Sequence, residues 1–180
     1  RPETEVLVEH CLELLADESA PRVLDIGVGS GAIALAIADE HPGARVVATD
    51  NSSGALAVAD ENRARAGLTL RVELVHGELF AGLEGPFDLV VSNPPYVRPE
   101  EVGGLEPEVA RFEPREALIA HGVTEAIVEQ ALPRLAPGAP LVLETGDGDA
   151  RDVAALLAGL GYDDVWIGED LAGRERVVDG

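Results

Sequence analysis

The sequence predicts an α/β fold, in which a mostly parallel sheet of seven strands carries helices on both of its faces. Short apolar runs typical of buried strands alternate with alanine-rich helical segments along most of the chain. Two runs near the carboxyl end have no helix between them. That closing pair indicates one antiparallel edge strand in an otherwise parallel sheet.

The first half of the chain predicts four strands and two helices. Gly67 ends the second helix, because glycine adopts the left-handed conformation that follows many helices. The strands are expected at residues 22–26, 45–49, 70–75 and 87–92, and the helices at residues 32–40 and 53–66.

The second half predicts two further helices and the last three strands. Gly161 caps the second of these helices, and a turn around Ala172-Gly173 joins the final strand pair. The helices are expected at residues 124–135 and 150–160, and the strands at residues 139–144, 165–168 and 174–178.

Residues 96–115 lack clear periodicity and contain several prolines and glycines. A loop of this length in a compact domain is usually functional. We therefore expect it to form a wall or lid over a substrate.

Length and composition predict a single domain over residues 1–180. The chain is 46% hydrophobic, which is enough for one buried core. No apolar run is long enough to cross a bilayer, and no signal peptide precedes the first motif, so no membrane association is expected. The single cysteine, Cys11, favours a reducing cytoplasmic location. The four histidines have no ligand spacing, so no metal site is expected.

The formal net charge is −21, and every basic residue except histidine is an arginine. This field repels nucleic acid, so no direct nucleic-acid binding is expected. The same field would attract a cationic cofactor or a basic protein partner. Adaptation for solubility or salt also explains the charge, and nucleic acid is disfavoured under either interpretation.

The tetrad Asn93-Pro94-Pro95-Tyr96 follows a predicted buried strand. Open α/β sheets place their active sites at the carboxyl ends of strands. The asparagine side chain and the backbone carbonyls are acceptors, and the prolines fix φ and remove two donors. Such a site suits a planar NH2 group on an amide or a nucleobase, although a simple Pro-Pro turn has the same composition.

A glycine loop follows the first predicted strand and opens a helix: Gly27, Val28, Gly29, Ser30 and Gly31. Glycine lets the backbone approach a ligand, and a helix N-terminus presents free N–H groups to an anion. Asp50 ends the second strand, where an acidic side chain can bind ribose hydroxyls. The pattern also satisfies a looser dinucleotide fingerprint, so NAD remains an alternative, as does a structural turn.

The tetrad favours S-adenosyl-L-methionine over NAD as the cofactor. A dehydrogenase needs a residue that handles a proton, yet lysine is absent and only His76 lies at a predicted strand end. Methyl transfer has no such requirement. The glycine loop would then hold the methionine part, Asp50 the ribose, and Glu78 with Leu79 the adenine.

Several motifs make the chain resemble the HemK/PrmC-type protein-(glutamine-N5) methyltransferases of peptide chain release factors. The glycine loop and the tetrad are shared with amino-directed DNA and RNA methyltransferases, whereas the opening and closing motifs are more specific. The matching segments are Arg1-Pro2-Glu3-Thr4-Glu5, residues 23–31, Gly77-Glu78-Leu79-Phe80, residues 92–96, Phe112-Glu113-Pro114-Arg115, Leu143-Glu144 and residues 170–174.

The resemblance implies a Rossmann-like class I S-adenosylmethionine-dependent methyltransferase that modifies a glutamine of a class I release factor. It implies cofactor contacts from residues 27–31, Asp50, Leu79 and Asn93. It also implies that Asn93, Pro94, Pro95 and Tyr96 bind the glutamine, with Asn93, Pro94 and Tyr96 as the catalytic set. The family's small N-terminal helical domain is expected to be missing, which makes residues 1–180 the catalytic domain.

The chain departs from the family pattern at three places, and the departures bear on substrate choice more than on the cofactor. Val28 replaces the usual threonine, Val123-Thr124 lies in a segment that usually contains Asp-Gly-Leu, and Asp149 stands where glutamine is common. Two other functions remain open: an amino-directed nucleic-acid methyltransferase, which would bind a flipped base, and a non-catalytic cofactor-binding module.

Overall fold

A computed structural model describes residues 2–80, 82–95 and 122–180 of the chain. Its centre is a seven-stranded sheet with the strand order β3-β2-β1-β4-β5-β7-β6. The strands are β1 (Arg22–Ile26), β2 (Arg45–Asp50), β3 (Val72–His76), β4 (Leu89–Ser92), β5 (Leu141–Glu144), β6 (Trp166–Glu169) and β7 (Glu175–Asp179).

Within the described residues, five helices cover the two faces of the sheet. They are α1 (Pro2–Leu14), α2 (Ala32–Glu40), α3 (Ser53–Arg65), α4 (Val123–Ala131), which continues into a 3-10 turn over Leu132–Arg134, and α5 (Ala150–Leu160). The apolar residues of α1, α2 and α3 form one core cluster, and those of α4 and α5 form the other. The predicted α/β class, with helices on both faces, is confirmed.

The strand pairing confirms the mixed sheet. Strands β1 to β5 pair in parallel, whereas β7 pairs antiparallel with both β5 and β6. The antiparallel strand thus belongs to the edge hairpin, as predicted, and β7 is the inner strand of that hairpin. Because β7 runs against its neighbours, β6 again runs in the direction of β5.

Helix α1 is not predicted from the sequence pattern. Its buried side chains Leu7 and Cys11 lie one turn apart and are fully covered. The helix is anchored by Thr4, whose Oγ1 donates to Glu144 Oε2 at 2.9 Å, and by a short contact between His10 Nε2 and Asp179 Oδ2. Its stability therefore comes from packing against the sheet.

The loop predicted at residues 96–115 lies outside the described residues, and so does Tyr96. Within the described ranges, no helix is both long and apolar enough to cross a membrane.

Candidate active site

The glycine loop and the tetrad begin side by side at the carboxyl ends of two neighbouring strands. The loop follows β1 and the tetrad follows β4, and in the parallel pairing of these strands Ile26 is the register partner of Ser92. Ser92 Oγ donates a hydrogen bond to the Ile26 carbonyl at 2.7 Å. Neighbouring strands lie about 4.8 Å apart, so Gly27 and Asn93 start their segments at adjacent positions.

The end of β2 holds the glycine loop in place. The N–H groups of Gly27 and Val28 both donate to the Thr49 carbonyl at 2.9 Å, and Gly29 N–H donates to Asp50 Oδ2 at 2.9 Å. Val28 itself is buried, and its carbonyl accepts the Gly31 N–H at 2.8 Å. Val28 therefore supports the loop from inside, while Gly27 is exposed.

Glycine serves two different purposes in the loop. Gly27 and Gly29 have φ of 77° and 54°, and a Cβ on either would have no atom within 4 Å, so their open sides are available to a ligand. A Cβ on Gly31 would lie 2.9 Å from Leu35 Cδ1 and 3.6 Å from Ala59 Cβ. Gly31 therefore permits close packing between α2 and α3.

A buried carboxylate caps helix α2. Gly31 occupies the N-cap position and has no side chain with which to accept a hydrogen bond. Asp25, fully buried in β1, supplies the acceptor instead: its Oδ2 accepts the Ala34 N–H at 3.1 Å. One of the helix N–H groups expected to be free for a ligand is thus used internally.

Burial raises the pKa of Asp25 to about 7, against the lowering effect of the Ala34 hydrogen bond and with a smaller contribution from the charge of Asp50. Asp25 Oδ1 has no hydrogen-bond partner in the described part of the chain. A protonated carboxyl group at Oδ1 suits this environment better than a bare charge.

Asp50 lies between the loop and helix α3 with capacity for a ligand. Its Oδ1 accepts the Ser52 N–H at 2.8 Å, and its Oδ2 accepts Gly29 N–H. Each carboxylate oxygen can accept a second hydrogen bond, and the residue is only half-buried. Two hydroxyls of a ribose could use these positions.

Leu79 adopts a strained conformation beyond β3. Its φ is 49°, unusual for a residue other than glycine, and its carbonyl accepts a hydrogen bond from Thr49 Oγ1 at 2.7 Å. The Leu79 side chain is half-buried and Glu78 is exposed. The hydrogen bond from Thr49 places both residues near the end of β2, where Asp50 is found.

The tetrad presents a partly covered amide. Asn93 and Pro95 are half-buried and Pro94 is buried. No hydrogen bond occupies the Asn93 side chain among the described residues, which leaves its acceptor and donor atoms for a ligand. Tyr96, the fourth member, lies outside the described residues.

Three buried polar residues at the carboxyl ends of the strands have structural roles that the sequence patterns do not predict: Asp25, Thr49 and Ser92. All three are at most 1% exposed, and each hydrogen-bonds backbone next to a predicted site segment. A polar side chain inside an otherwise apolar strand was the available signal. Asn62 also contributes, donating to the Ser30 carbonyl at 2.9 Å.

A concavity of about 400 Å³ lies at the opposite end of the strands, away from their carboxyl ends. It is lined by residues at the amino ends of β1, β2 and β3, including Arg22, Arg45 and Arg71. It is therefore separate from the glycine loop and the tetrad.

Comparison with solved structures supports the same fold. The structure of a ribosomal protein L11 methylase from Lactobacillus delbrueckii subsp. bulgaricus superposes with a TM-score of 0.68 at 23% identity, covering 96% of this chain and 75% of that one. At this identity the likeness shows the fold, and the predicted α/β architecture with a mostly parallel seven-stranded sheet is confirmed.

Sequence comparisons identify closer relatives. Residues 3–106 match the methyltransferase small domain family. The release factor glutamine methyltransferase of Rhodospirillum rubrum is 44% identical over 182 residues, covering 99% of this chain and 56% of that protein. The protein of the same name from Bordetella pertussis is 42% identical, with 100% and 68% covered.

The chain spans about half to two thirds of the length of the relatives that it matches. The aligned region includes both the glycine loop and the tetrad, because it covers nearly the whole chain. The chain belongs to the release factor glutamine methyltransferase family, within the methyltransferase small domain group.

Proposed function

We propose that this chain transfers a methyl group from S-adenosyl-L-methionine to the side-chain amide nitrogen of a glutamine in a class I peptide chain release factor. The observation that carries the proposal is the hydrogen bond from Ser92 to Ile26, which sets the cofactor loop and the acceptor tetrad side by side. Residues 1–180 act as the catalytic domain.

The residues at this edge fit the cofactor. Gly27 and Gly29 offer open backbone for the methionine part, and the Asp50 carboxylate has lone pairs left for ribose hydroxyls. Leu79 and the exposed Glu78 border the place proposed for the adenine. When bound, the cofactor supplies an electrophilic methyl group, and every other step depends on the chain's own residues.

Asn93 and Pro94 orient the acceptor amide. An amide nitrogen is a poor nucleophile because its lone pair is delocalised, as the rotation barrier of roughly 18–20 kcal/mol shows. Asn93 Oδ1 and the Pro94 carbonyl accept the two hydrogens of the glutamine NH2 group and aim its nitrogen. The half-buried Asn93 side chain has no competing partner among the described residues, which favours this use.

Positioning and fixed dipoles supply most of the catalysis. As the nitrogen gains the methyl group it becomes acidic, so solvent removes its proton and no dedicated base is required. Pro95 stiffens the segment, and Tyr96 is proposed to pack on the amide plane and exclude water.

The proposed substrate follows from the family. The relatives are named for release factors, and the glutamine is proposed to be that of the Gly-Gly-Gln motif. A chain of net charge −21 suits a basic protein surface and disfavours direct nucleic-acid binding. The single cysteine is buried, in keeping with a proposed cytoplasmic location.

The test is methylation of an intact class I release factor, followed by intact and peptide mass spectrometry. The control is a release factor with its Gly-Gly-Gln glutamine changed to alanine. We expect one added methyl group on that glutamine and none on the control. Cofactor binding without any methyl transfer would contradict the proposal, and methylation of the control would contradict the proposed acceptor.

A further inference from the structure

The tip of the β6–β7 hairpin, residues 170–174, presents an apolar side chain to solvent. Leu171 is 83% exposed. A leucine in such a position makes no contribution to the core, so its place at the tip is not explained by packing. The proposed transfer reaction also involves no residue of the hairpin.

The backbone around Leu171 is fixed by a buried carboxylate. Asp170 is 7% exposed, and its Oδ1 accepts the N–H groups of Ala172 at 2.8 Å and Arg174 at 3.0 Å. Its Oδ2 accepts Arg174 Nε at 2.9 Å, and Asp170 N–H donates to the Arg174 carbonyl at 2.8 Å. The leucine is thus held out on a preorganised turn, which reduces the entropy lost on binding.

The tip and the tetrad lie at the same end of the sheet, where the parallel strands have their carboxyl ends. Ser92, Leu143, Val178 and Ile167 form one row of register partners across β4, β5, β7 and β6. Three strand spacings separate the ends of this row, so Leu171 lies on the order of 15 Å from Asn93. One glutamine residue cannot reach both places, whereas a segment of about five extended residues or a folded protein can.

The charges next to the tip are mixed. Glu169 precedes it and is exposed, whereas Asp147 on the neighbouring loop after β5 lies 3.9 Å from Arg176 Nη2, and Arg174 in the tip is bonded to Asp170. The chain as a whole has a net charge of −21, which favours a partner with a basic surface over long range. A surface that accepts Leu171 would therefore combine an apolar recess with basic groups around it.

We propose that Leu171 is a docking residue for the protein that carries the acceptor glutamine, and that it inserts into an apolar recess bordered by basic side chains. The inference rests on the proposed function. It assigns Leu171 to recognition of the protein substrate, at a distance from the transfer of the methyl group.

The test compares Leu171→Ala and Leu171→Asp with the wild type on two acceptors: the intact release factor and a peptide of about three residues centred on its glutamine, which is too short to reach Leu171. Leu70→Ala is the matched control, because Leu70 is 94% exposed and lies just before β3 at the opposite edge. Binding is also measured to a release factor whose glutamine is changed to alanine, since this measurement needs no turnover.

For the intact protein, we expect Leu171→Ala to raise KM and Kd about tenfold, as the loss of one buried leucine side chain implies. Leu171→Asp should raise both further. The rate on the short peptide, the affinity for S-adenosyl-L-methionine and Tm should stay unchanged, and Leu70→Ala should match the wild type throughout.

Unchanged KM and Kd in both Leu171 variants would overturn the inference, as would equal losses in Leu70→Ala. Equal losses on the peptide and the protein would overturn it too, because they would place the leucine at the reaction itself. Wild-type binding without methylation would defeat the proposed function alone, since the Kd comparison would still decide the role of Leu171. Absence of wild-type binding would overturn the docking role.

Discussion

Ser92 Oγ donates a hydrogen bond to the Ile26 carbonyl at 2.7 Å, across the carboxyl ends of β4 and β1. Ser92 is 1% exposed and Ile26 is 3% exposed, so the bond is shielded from water. Together with the parallel pairing of β1 and β4, this bond fixes the distance between the residue before the tetrad and the residue before the glycine loop. Both proposed binding segments depend on it.

Replacing Ser92 by alanine should affect stability and both binding functions together. Loss of a buried hydrogen bond costs roughly 1–3 kcal/mol of unfolding free energy. Because the two segments can then shift apart, we expect lower cofactor affinity and lower kcat in the same variant. Denaturant unfolding, cofactor titration and steady-state kinetics measure these effects, with Ser53→Ala on the exposed start of α3 as the control. A variant with unchanged kcat would show that the Ser92–Ile26 hydrogen bond does not position the two binding segments.

Asn93→Ala should lower turnover far more than cofactor affinity. Removing one preorganised polar group from a reacting centre costs about 10²–10³ in kcat. The glycine loop and Asp50 are left intact, so the affinity for S-adenosyl-L-methionine should fall much less. Single-turnover rates and equilibrium titration of the cofactor separate the two effects.

Asp50→Ala is the reciprocal variant for that measurement. It removes the proposed ribose ligand and the acceptor of Gly29 N–H, so cofactor affinity should fall first. Asp60→Ala, at an exposed position of α3, controls for loss of charge. Equal losses of rate and affinity in Asn93→Ala would contradict its role in orienting the amide.

Much of the fold could be predicted because local patterns and tertiary structure agree. Helices α2 and α5 have the predicted bounds, since each has regular apolar spacing and α5 ends at a left-handed glycine, Gly161. Strand β4 begins two residues late, at Leu89, because Asp88 turns to accept the Arg22 N–H at 2.7 Å. The local sequence pattern does not reveal tertiary contacts of this kind.

The candidate site was likewise predictable where it follows local patterns and unpredictable where it depends on tertiary contacts. Residues 27–31, Asp50 and Asn93 could be located because they directly follow recognisable strands, and register then brings them to one edge. The capping of α2 by Asp25 could not be predicted, because it depends on how the helix returns over β1. An isolated acidic residue in a buried strand indicates a structural or functional role, but the sequence does not show that Asp25 accepts a hydrogen bond from α2.

The two kinds of loop glycine predict different defects. Both Gly27 and Gly31 have positive φ, so alanine at either position costs about 1 kcal/mol of backbone strain. Gly31→Ala also drives a Cβ into Leu35 at 2.9 Å, so its Tm should fall more. Gly27→Ala meets no protein atom within 4 Å and should chiefly weaken cofactor binding. Thermal unfolding without the cofactor and titration with it distinguish the variants, and a larger Tm loss in Gly27→Ala would contradict the assignment.

The buried Asp25 predicts a specific pH dependence of stability. Its pKa is raised to about 7 in the folded chain, chiefly by burial, from an ordinary value of 3.8. Between these values the folded state keeps a proton that the unfolded state has lost. The contribution of Asp25 to the free energy of unfolding should therefore fall as pH rises from about 4 to about 7, by of order 1 kcal/mol per pH unit, and stay constant above.

Asp25→Asn should remove this dependence while keeping an acceptor for the Ala34 N–H. Denaturant unfolding at pH 5, 6, 7 and 8 gives the difference in stability between variant and wild type, and groups that titrate alike in both chains cancel in this difference. We expect the variant to gain stability relative to the wild type as pH rises, and the gain should level off above about pH 7. A flat difference for Asp25→Asn would mean that the Asp25 carboxyl is charged in the folded chain throughout this range, and that the α2 N-terminus stabilises its charge fully.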